Sequence, residues 1–262
     1  MSRSQALAAP NDAALTKAFR DLRLTGMADA WAQLHQAATQ QVWDYPRLVA
    51  ALFDAETQRR DSNRGARLLK ESKLPPHKNL SALDESLLPV AVRRQLPALL
   101  SGDFLDRRQN LCVFGLPGRG KTHFLCALGN ELVAKGRRLY FTSTAKLIQR
   151  LLEDKSRHQL DKELAKLDRF EAVLLDDIGY VQHSREEMEV LFTFIAERYE
   201  RSSLMISSNL PFSKWEQIFR DPMTAMAAVD RLVQNSIVLH FDGDSIRSKI
   251  AAEKSALQAT KN

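Results

Sequence analysis

Residues 115–122 have the types and the spacing of a loop that binds phosphate. They read Gly-Leu-Pro-Gly-Arg-Gly-Lys-Thr, which matches the pattern GxxxxGK[ST]. Glycines let a backbone curl so that several N–H groups point at phosphate oxygens, and a helix that begins near Lys121 adds the positive end of its dipole. In this chemistry Lys121 contacts the β- and γ-phosphates, and the Thr122 hydroxyl ligates Mg²⁺. The predicted ATP-binding residues are Gly115, Leu116, Pro117, Gly118, Arg119, Gly120, Lys121, Thr122 and His123.

The sequence around this loop predicts the elements that must hold it. An apolar run at residues 111–114 precedes the loop, and Phe124, Leu125, Leu128 and Leu132 follow it with helical spacing. The phosphate-binding chemistry requires a strand, a loop and a helix in this order. The alternative, a glycine-rich structural turn, does not explain this context. We therefore predict that the chain binds and hydrolyses ATP.

Two neighbouring carboxylates follow a later apolar run. Residues 172–177 read Ala-Val-Leu-Leu-Asp-Asp, and in a P-loop fold such a strand lies beside the strand that precedes the loop. Asp176 is then expected to hold Mg²⁺ through water, and Asp177 is expected to orient and deprotonate the attacking water. The alternative is an acidic turn after a strand. The phosphate loop earlier in the chain favours the catalytic interpretation.

A polar amide ends the next apolar run. Asn209 follows Ser207 and Ser208, and an amide at a strand tip beside the γ-phosphate can position water. Asn is also favoured in simple turns, and the sequence of this segment alone does not separate the two interpretations.

Short apolar runs alternate with helical patterns from about residue 80 onward. Helix starts are indicated by the capping-box spacing of Ser184 with Glu187 and of Ser213 with Glu216. The alternation predicts an α/β fold, in which a P-loop core has a mostly parallel sheet between helices. The predicted strands are residues 111–114, 139–142, 172–175, 204–207 and 236–241.

The first part of the chain predicts a small all-α domain. Leu15, Phe19 and Leu22 occupy one helix face, and Gly26 is expected to interrupt the helical pattern. Residues 74–79 include two consecutive prolines and are expected to end a third helix. We therefore expect a helical N-terminal domain at residues 1–78 that contacts a partner or DNA, an ATPase domain at 79–255, and a tail at 256–262.

Composition narrows the class of protein. The chain has 262 residues, a formal charge of +6 and 44% apolar residues, which excludes a disordered chain and favours an acidic partner. Its two cysteines lack CxxC spacing, so they predict buried thiols of a reducing compartment rather than a zinc cluster. No secretory leader and no apolar stretch of spanning length is evident. We expect a cytoplasmic protein that does not bind a membrane.

A basic stretch lies near the end of the predicted third helix. Arg60, Arg64, Arg67 and Lys70 recur near the helical period and are the candidate DNA contacts. The alternative is an ordinary solvated helix face, and both interpretations stay open.

Four segments together resemble the IstB-like ATPases, which are transposition helper proteins related to the DnaC-type helicase loaders of the AAA+ superfamily. These segments are residues 115–122, 175–180 (Leu-Asp-Asp-Ile-Gly-Tyr), 208–215 (Ser-Asn-Leu-Pro-Phe-Ser-Lys-Trp) and 230–232 (Asp-Arg-Leu). The resemblance implies that Asn209 is the sensor-1 residue. It also implies that Arg231 is an arginine finger for a neighbouring subunit and that Arg247 is the sensor-2 residue. For each arginine, a solvated surface charge is the alternative.

This sequence departs from the family pattern at two site residues. The usual Asp-Glu pair is Asp176-Asp177 here, so the carboxylate expected to act as base is one methylene shorter. That change predicts slow hydrolysis or hydrolysis that needs a partner. Arg119 stands where small residues are usual in the loop, and it is expected either to perturb nucleotide entry or to contact phosphate.

The resemblance implies an ATP-dependent, DNA-binding helper of a transposase. Such a helper assembles on duplex DNA as a homo-oligomer and regulates the cognate transposase by binding and hydrolysing ATP with Mg²⁺. Two alternatives stay open at this point. One is a DnaC-like replicative helicase loader, and the other is a nucleotide-gated DNA-binding scaffold with negligible turnover.

Overall fold

The computed structural model of the protein describes residues 11–179, 184–219 and 222–242. The chain divides into two compact units, Met1–Arg67 and Leu68–Asn262. The division falls eleven residues before the expected boundary at 78/79. Leu68 and Leu74 are buried in the core of the second unit. The Asn130 amide donates to the backbone carbonyls of Pro75 and Lys78, so residues 68–78 pack with that unit.

The first unit is helical, as the sequence predicts. Its helices are α1 (Asp12–Asp21), α2 (Thr25–Gln40) and α3 (Tyr45–Ser72), of which α3 extends past the division. Met27, Trp31 and Leu52 form its small buried core, and Leu15 and Phe19 pack against it. Leu15 and Phe19 of the predicted helix face therefore turn inward, and their burial stabilises the helix pair. Leu22, the third member of that face, follows the end of α1 and is 70% exposed, so its predicted place on the face is wrong.

The expected interruption at Gly26 is wrong, because Gly26 lies in the first turn of α2. A Cβ there would come within 2.6 Å of the Ala55 carbonyl oxygen and of Glu56 Cα. The Glu56 carboxylate accepts the N–H groups of Gly26 at 2.7 Å and of Met27 at 3.3 Å. This glycine allows α2 and α3 to approach closely, and a carboxylate from α3 satisfies the start of α2.

The second unit is an α/β layer structure with one sheet. Its strands are β1 (Asn110–Phe114), β2 (Leu139–Ser143), β3 (Ala172–Ile178), β4 (Ser203–Ser208) and β5 (Ser236–His240). The strands are parallel in the order β2-β3-β4-β1-β5. The predicted α/β class, the mostly parallel sheet and all five predicted strands are confirmed.

Helices cover both faces of this sheet. They are α4 (Val90–Ser101), α5 (Asp103–Asp106), α6 (Lys121–Ala134), α7 (Thr144–Ser156), α8 (Leu160–Leu167), α9 (Arg185–Arg198), α10 (Glu216–Phe219) and α11 (Pro222–Val233). Along β1, Leu111 and Val113 enter one buried cluster, whereas Cys112 and Phe114 enter the other. This period-two alternation between two apolar layers explains why a parallel strand reads as a continuous apolar run.

Both cysteines are buried free thiols, as expected. Burial raises the pKa of each thiol to about 12, so neither is a reactive thiolate at neutral pH. None of the helices in the described ranges has the length and apolar character needed to cross a membrane.

One of the two predicted capping boxes is confirmed. Ser184 precedes α9, and its hydroxyl and the Glu187 carboxylate exchange hydrogen bonds with each other's backbone N–H groups. The second predicted capping box, between Ser213 and Glu216, is wrong. Ser213 lies inside a short 3₁₀ helix, Phe212–Lys214, and Glu216 is the first residue of α10 rather than its third. The preceding Leu210-Pro211 turn directs the chain into 3₁₀ geometry before the helix begins.

Candidate functional site

The phosphate loop connects β1 directly to α6. β1 ends at Phe114 and α6 begins at Lys121, so residues 115–120 form the loop at the carboxyl edge of the sheet. Gly118 and Gly120 have φ angles of 81° and 83°, in the left-handed region where a side chain is strained. The helix start and the curled backbone therefore occupy the positions that the sequence pattern predicts.

The first residue of the loop is held between two neighbouring strand ends. The Gly115 N–H donates to the Ser208 carbonyl at 3.2 Å, and the Phe241 N–H donates to the Phe114 carbonyl at 2.7 Å. A Cβ on Gly115 would lie 2.5 Å from the Phe241 carbonyl oxygen. Only glycine fits this close approach of backbones, so the first turn of the loop has a fixed path.

The Lys121 side chain lies across the loop. It is only 5% exposed, and its Nζ donates to the carbonyls of Gly115 at 2.7 Å and of Leu116 at 3.0 Å. The ammonium group is thus held among the loop atoms that are expected to surround phosphates. Its charge can offset phosphate charge there more strongly than an exposed lysine could.

A chain of hydrogen bonds joins the loop to the carboxylate of Asp176 and to the backbone of Asp177. The Thr122 hydroxyl donates to Asp176 Oδ1 at 2.7 Å, and the Ser207 hydroxyl donates to the same oxygen at 2.6 Å. Ser207 Oγ also accepts the backbone N–H of Asp177 at 2.8 Å. One buried serine therefore orients the first carboxylate and positions the backbone of the second.

The strand that carries these carboxylates contains a bulge. β3 continues to Ile178, beyond the predicted end at residue 175, and its register against β4 shifts between Leu175 and Ile178. Asp177 has a φ of 57° and is exposed, whereas Asp176 is half-buried. Successive strand residues normally face opposite sides, and the bulge interrupts that alternation at the carboxyl end of β3, where both aspartates lie.

Ser207 and Thr144 are site residues that the sequence analysis did not assign. Ser207 is fully buried, and the hydroxyl of Thr144 donates to the Asp176 carbonyl at 3.0 Å. Hydroxyl residues at the ends of β4 and β2 are the signal that was available. It is a weak signal, because serine and threonine are common at strand ends.

Two predicted site residues carry buried polar atoms with no hydrogen-bond partner in the described part of the chain. They are Asn209 Oδ1 and His123 Nε2. Asn209 directly follows β4, and His123 lies in the first turn of α6. Buried polar groups in proteins are nearly always paired, so these atoms are suited to a polar group outside the chain.

Comparison with known proteins identifies the family. The model of the IstB-like ATP binding protein family matches residues 17–254. The chain belongs to the IstB-like ATP-binding proteins. It is 37% identical over 93% of its length to an insertion sequence ATP-binding protein of Sinorhizobium fredii, 82% of which is covered. It is 33% identical over 82% of its length to the insertion sequence IS21 ATP-binding protein of Pseudomonas aeruginosa, 81% of which is covered.

Solved structures show the fold of this IstB-like chain. The DnaC helicase loader superimposes with a TM-score of 0.55 at 20% identity and covers 64% of this chain and 98% of its own. AMPPCP-bound DnaA from Aquifex aeolicus superimposes with a TM-score of 0.54 at 21% identity, covering 70% of this chain and 56% of its own. These likenesses concern the fold alone, and the α/β P-loop fold of the second unit agrees with them.

The site of this IstB-like chain fits Mg²⁺ by its donor chemistry. Thr122 and Asp176 supply hard oxygen ligands that already contact each other. No group of three His, Cys, Asp or Glu side chains suited to a metal occurs in the described ranges. Magnesium is usually held by one or two carboxylates together with substrate phosphates and water, so this sparse ligand set suits a metal that enters with the nucleotide.

The three arginines of interest have different surroundings. Arg119 donates to the Phe241 carbonyl at 3.0 Å, so it fastens the loop to the end of β5. Arg231 donates to the Ala227 carbonyl in α11, and its guanidinium lies 5.0 Å from the Phe192 ring centre. Arg247 lies outside the described residues. The roles expected of Arg231 and Arg247 stay predictions.

The candidate DNA contacts on α3 are all exposed. Arg60, Arg64, Arg67 and Lys70 lie on the surface, and Arg60 Nε pairs with the Glu56 carboxylate at 2.7 Å. Burial acts to raise the pKa of Glu56. The hydrogen bonds from Arg60, Met27 and Gly26 outweigh it, so the pKa is lowered. Arg60 therefore also has a structural role in the helical unit.

Proposed function

We propose that this chain is a Mg²⁺-dependent ATPase that serves a transposase as an ATP-gated, DNA-binding helper. The bonded chain Thr122–Asp176–Ser207–Asp177 carries the catalytic part of the proposal. It joins the loop expected to hold phosphates to the Asp176 carboxylate and, through a backbone N–H, to Asp177 at the same sheet edge. A loop that only bound nucleotide would have no need of a second, exposed carboxylate beside the first.

Each residue has a distinct task in this proposal. Lys121 offsets negative charge on the β- and γ-phosphates, and Thr122 with Asp176 holds the metal, which would neutralise phosphate charge in the transition state. Asp177 accepts a proton from the water whose oxygen bonds to the γ-phosphorus, while the bond to the β–γ bridging oxygen breaks. Asn209 orients that water through its amide oxygen.

The wider function rests on the family and on charge. The related insertion sequence ATP-binding proteins favour the helper over a helicase loader, because the likeness to the DnaC loader concerns only the fold. A formal charge of +6 suits phosphate contacts with duplex DNA. The candidate contacts are Arg60, Arg64, Arg67 and Lys70. We propose further that Arg231 acts on a neighbouring copy in a cytoplasmic homo-oligomer.

ATP turnover tests the catalytic part of the proposal. We expect Mg²⁺-dependent turnover that duplex DNA stimulates, and we expect Lys121→Ala to lower it about 100- to 1000-fold, the usual effect of removing one stabilising group. Asp177→Asn is expected to retain ATP binding and lose turnover. Lys135→Ala removes the same charge at the far end of α6 and is the matched control.

The outcome decides between hydrolysis and gating. If the wild type binds ATP and DNA but turns over no faster than Asp177→Asn, the ATPase proposal is wrong and the chain is a nucleotide-gated scaffold. Gel filtration with a non-hydrolysable ATP analogue tests the oligomer separately, since an unchanged elution volume contradicts the proposed role of Arg231.

A further inference from the structure

A polar groove of about 540 Å³ lies beside the carboxylates, at the outer edge of the sheet. It borders β2, which is one of the two edge strands of the described sheet, and the start of α7. The nucleotide-site residue on its wall is Asp176, and the proposed function assigns no role to the rest of the groove. Its lining includes Lys73, Tyr140, Phe141, Lys146, Arg150 and Asp176.

A buried tyrosine hydroxyl organises the cations of this groove. Tyr140 is 6% exposed, and its hydroxyl oxygen accepts from Lys73 Nζ at 3.3 Å and from Arg150 Nη1 at 2.7 Å. Lys and Arg side chains have no acceptor atoms. The proton of the tyrosine hydroxyl therefore has to find its acceptor elsewhere, and none occurs among the described residues.

The charges of the groove favour an anion. Lys73, Lys146 and Arg150 line the groove together with Asp176, the acidic member of the lining. Lys146 and Arg150 are four residues apart on α7, so they share one helix face. Arg150 is also 2.8 Å from Glu163, which is paired with Lys166 as well, and its Nε has no hydrogen-bond partner within the described ranges.

We propose that this groove binds the phosphate backbone of a nucleic acid. The groove supplies two lysines, an arginine and a hydroxyl donor along its wall, which is the donor set that phosphate diesters accept. The Asp176 carboxylate would repel an anion at one end of the groove, and the metal expected beside Asp176 offsets this negative charge. The inference rests on the DNA binding of the proposed function, and it assigns part of that binding to the second unit.

The Tyr140 ring in the groove is not available for stacking on bases. The Tyr140 ring lies against Phe170, with ring centres 5.2 Å apart, and Lys73 Nζ and the Arg150 guanidinium each lie 5.3 Å from the Tyr140 ring centre. This ring is therefore covered and cannot stack on a base as an exposed aromatic would. Binding should be independent of sequence and sensitive to salt.

The salt dependence of duplex binding tests the proposal in the full-length chain. The affinity for a short labelled duplex is measured between about 50 and 200 mM salt, where each lost phosphate contact lowers the slope of log affinity against log salt by about 0.9. Raising the salt over this range should weaken the binding of Lys146→Ala, and likewise of Lys73→Ala, about threefold less than it weakens the binding of the wild type. Tyr140→Phe should weaken binding without changing the slope, because it removes a neutral donor.

Lys135→Ala is the matched control, because α6 runs away from the carboxyl edge and places Lys135 at the opposite end of the sheet. A slope that is lower in Lys146→Ala and Lys73→Ala but unchanged in Lys135→Ala supports phosphate binding in the groove. If all three lysine variants keep the slope of the wild type, the proposed groove is wrong and other residues bind the DNA. A wild type that binds no duplex overturns both the groove and the proposed DNA binding. A loss of affinity for an ATP analogue, with the duplex slope unchanged, assigns the groove to nucleotide phosphates and overturns it as well.

Discussion

The two halves of the nucleotide site are held in different ways. On the loop side, backbone geometry fixes the site, since Gly115 meets the Phe241 backbone closely and Gly118 and Gly120 take left-handed angles. On the carboxylate side, side-chain hydroxyls from other elements fix the site, and Ser207 contacts both aspartates. The first half depends on the absence of side chains, and the second depends on their presence.

The two halves of the site also differ in how far apart in the sequence the residues that define them lie. A glycine pattern is written within eight consecutive residues, so the sequence alone reveals it, although Gly115 also meets the distant Phe241 backbone. The bulge at Asp176 and Asp177 forms only when β3 pairs with β4 and a buried serine meets the shifted backbone. We expect substitutions in the two halves to have different signatures, and the predictions for Gly115 and Ser207 test that expectation. A third prediction, for Glu56, extends the comparison to the helical unit.

The largest effect is expected at Gly115. A methyl group there combines an unfavourable φ of 154°, about 1–3 kcal/mol, with overpacking against the Phe241 carbonyl, about 1–3 kcal/mol more. Gly115→Ala should therefore lower the free energy of unfolding by about 2–6 kcal/mol, measured by urea denaturation, and should also weaken ATP binding.

A second glycine has a positive φ but no close neighbour, and it serves as the comparison for Gly115. Gly136 has a φ of 87° but open space around its Cβ position, so Gly136→Ala should cost only about 1–2 kcal/mol and leave ATP binding intact. If Gly115→Ala is no more harmful than Gly136→Ala, the loop adapts to a side chain and the contrast between the halves is lost.

The same contrast explains what the sequence could predict. The five strands, the loop and the placement of Asp176 follow from local patterns, and the structure agrees with them. The role of Ser207 and the bulge at Asp177 depend on pairing between β3 and β4, residues about thirty positions apart. Gly26 was misjudged for the same reason, since its neighbours Ala55 and Glu56 lie on another helix.

An intermediate effect is expected at Ser207. Ser207→Ala removes the bond to Asp176 Oδ1 and leaves the Asp177 N–H without its partner, at a cost of about 1–3 kcal/mol. Turnover at saturating ATP should fall about tenfold, and half-maximal activity should require more Mg²⁺, because Asp176 loses its orientation. Steady-state turnover across a Mg²⁺ titration measures both changes.

Ser208 provides the matched control in the next position of β4. It is equally buried, and its hydroxyl contacts the backbone of Ile178 and Leu210 rather than a carboxylate. Ser208→Ala should lose similar stability while its Mg²⁺ requirement stays that of the wild type. Equal shifts in the Mg²⁺ requirement of both variants would show that Ser207 acts only through stability.

The smallest effect concerns a carboxylate with a structural task. Glu56→Gln should lower the stability of the helical unit by about 1 kcal/mol, because three donors lose a charged acceptor. The folded-state pKa of Glu56 is lowered, so its contribution is complete above the unfolded pKa of about 4.3 and is lost as pH falls through the folded value.

Thermal unfolding of both proteins between about pH 3 and pH 7 measures this difference, and the melting temperatures should converge at the acid end. ATP turnover at neutral pH should be the same for both proteins, in contrast to the effect at Ser207. A stability difference that persists unchanged at the acid end would show that the Glu56 charge does not stabilise the start of α2.

The Thr122 hydroxyl shows how little the site has to rearrange when a nucleotide arrives. Its proton is directed at Asp176 Oδ1 at 2.7 Å, and a hydroxyl oxygen that donates one proton keeps two lone pairs. A cation can therefore take a lone pair of this oxygen while the bond to Asp176 stays intact. Folding has already selected the threonine rotamer, so its entropic cost does not fall on the binding step. The reorganisation needed on this side of the site is correspondingly small.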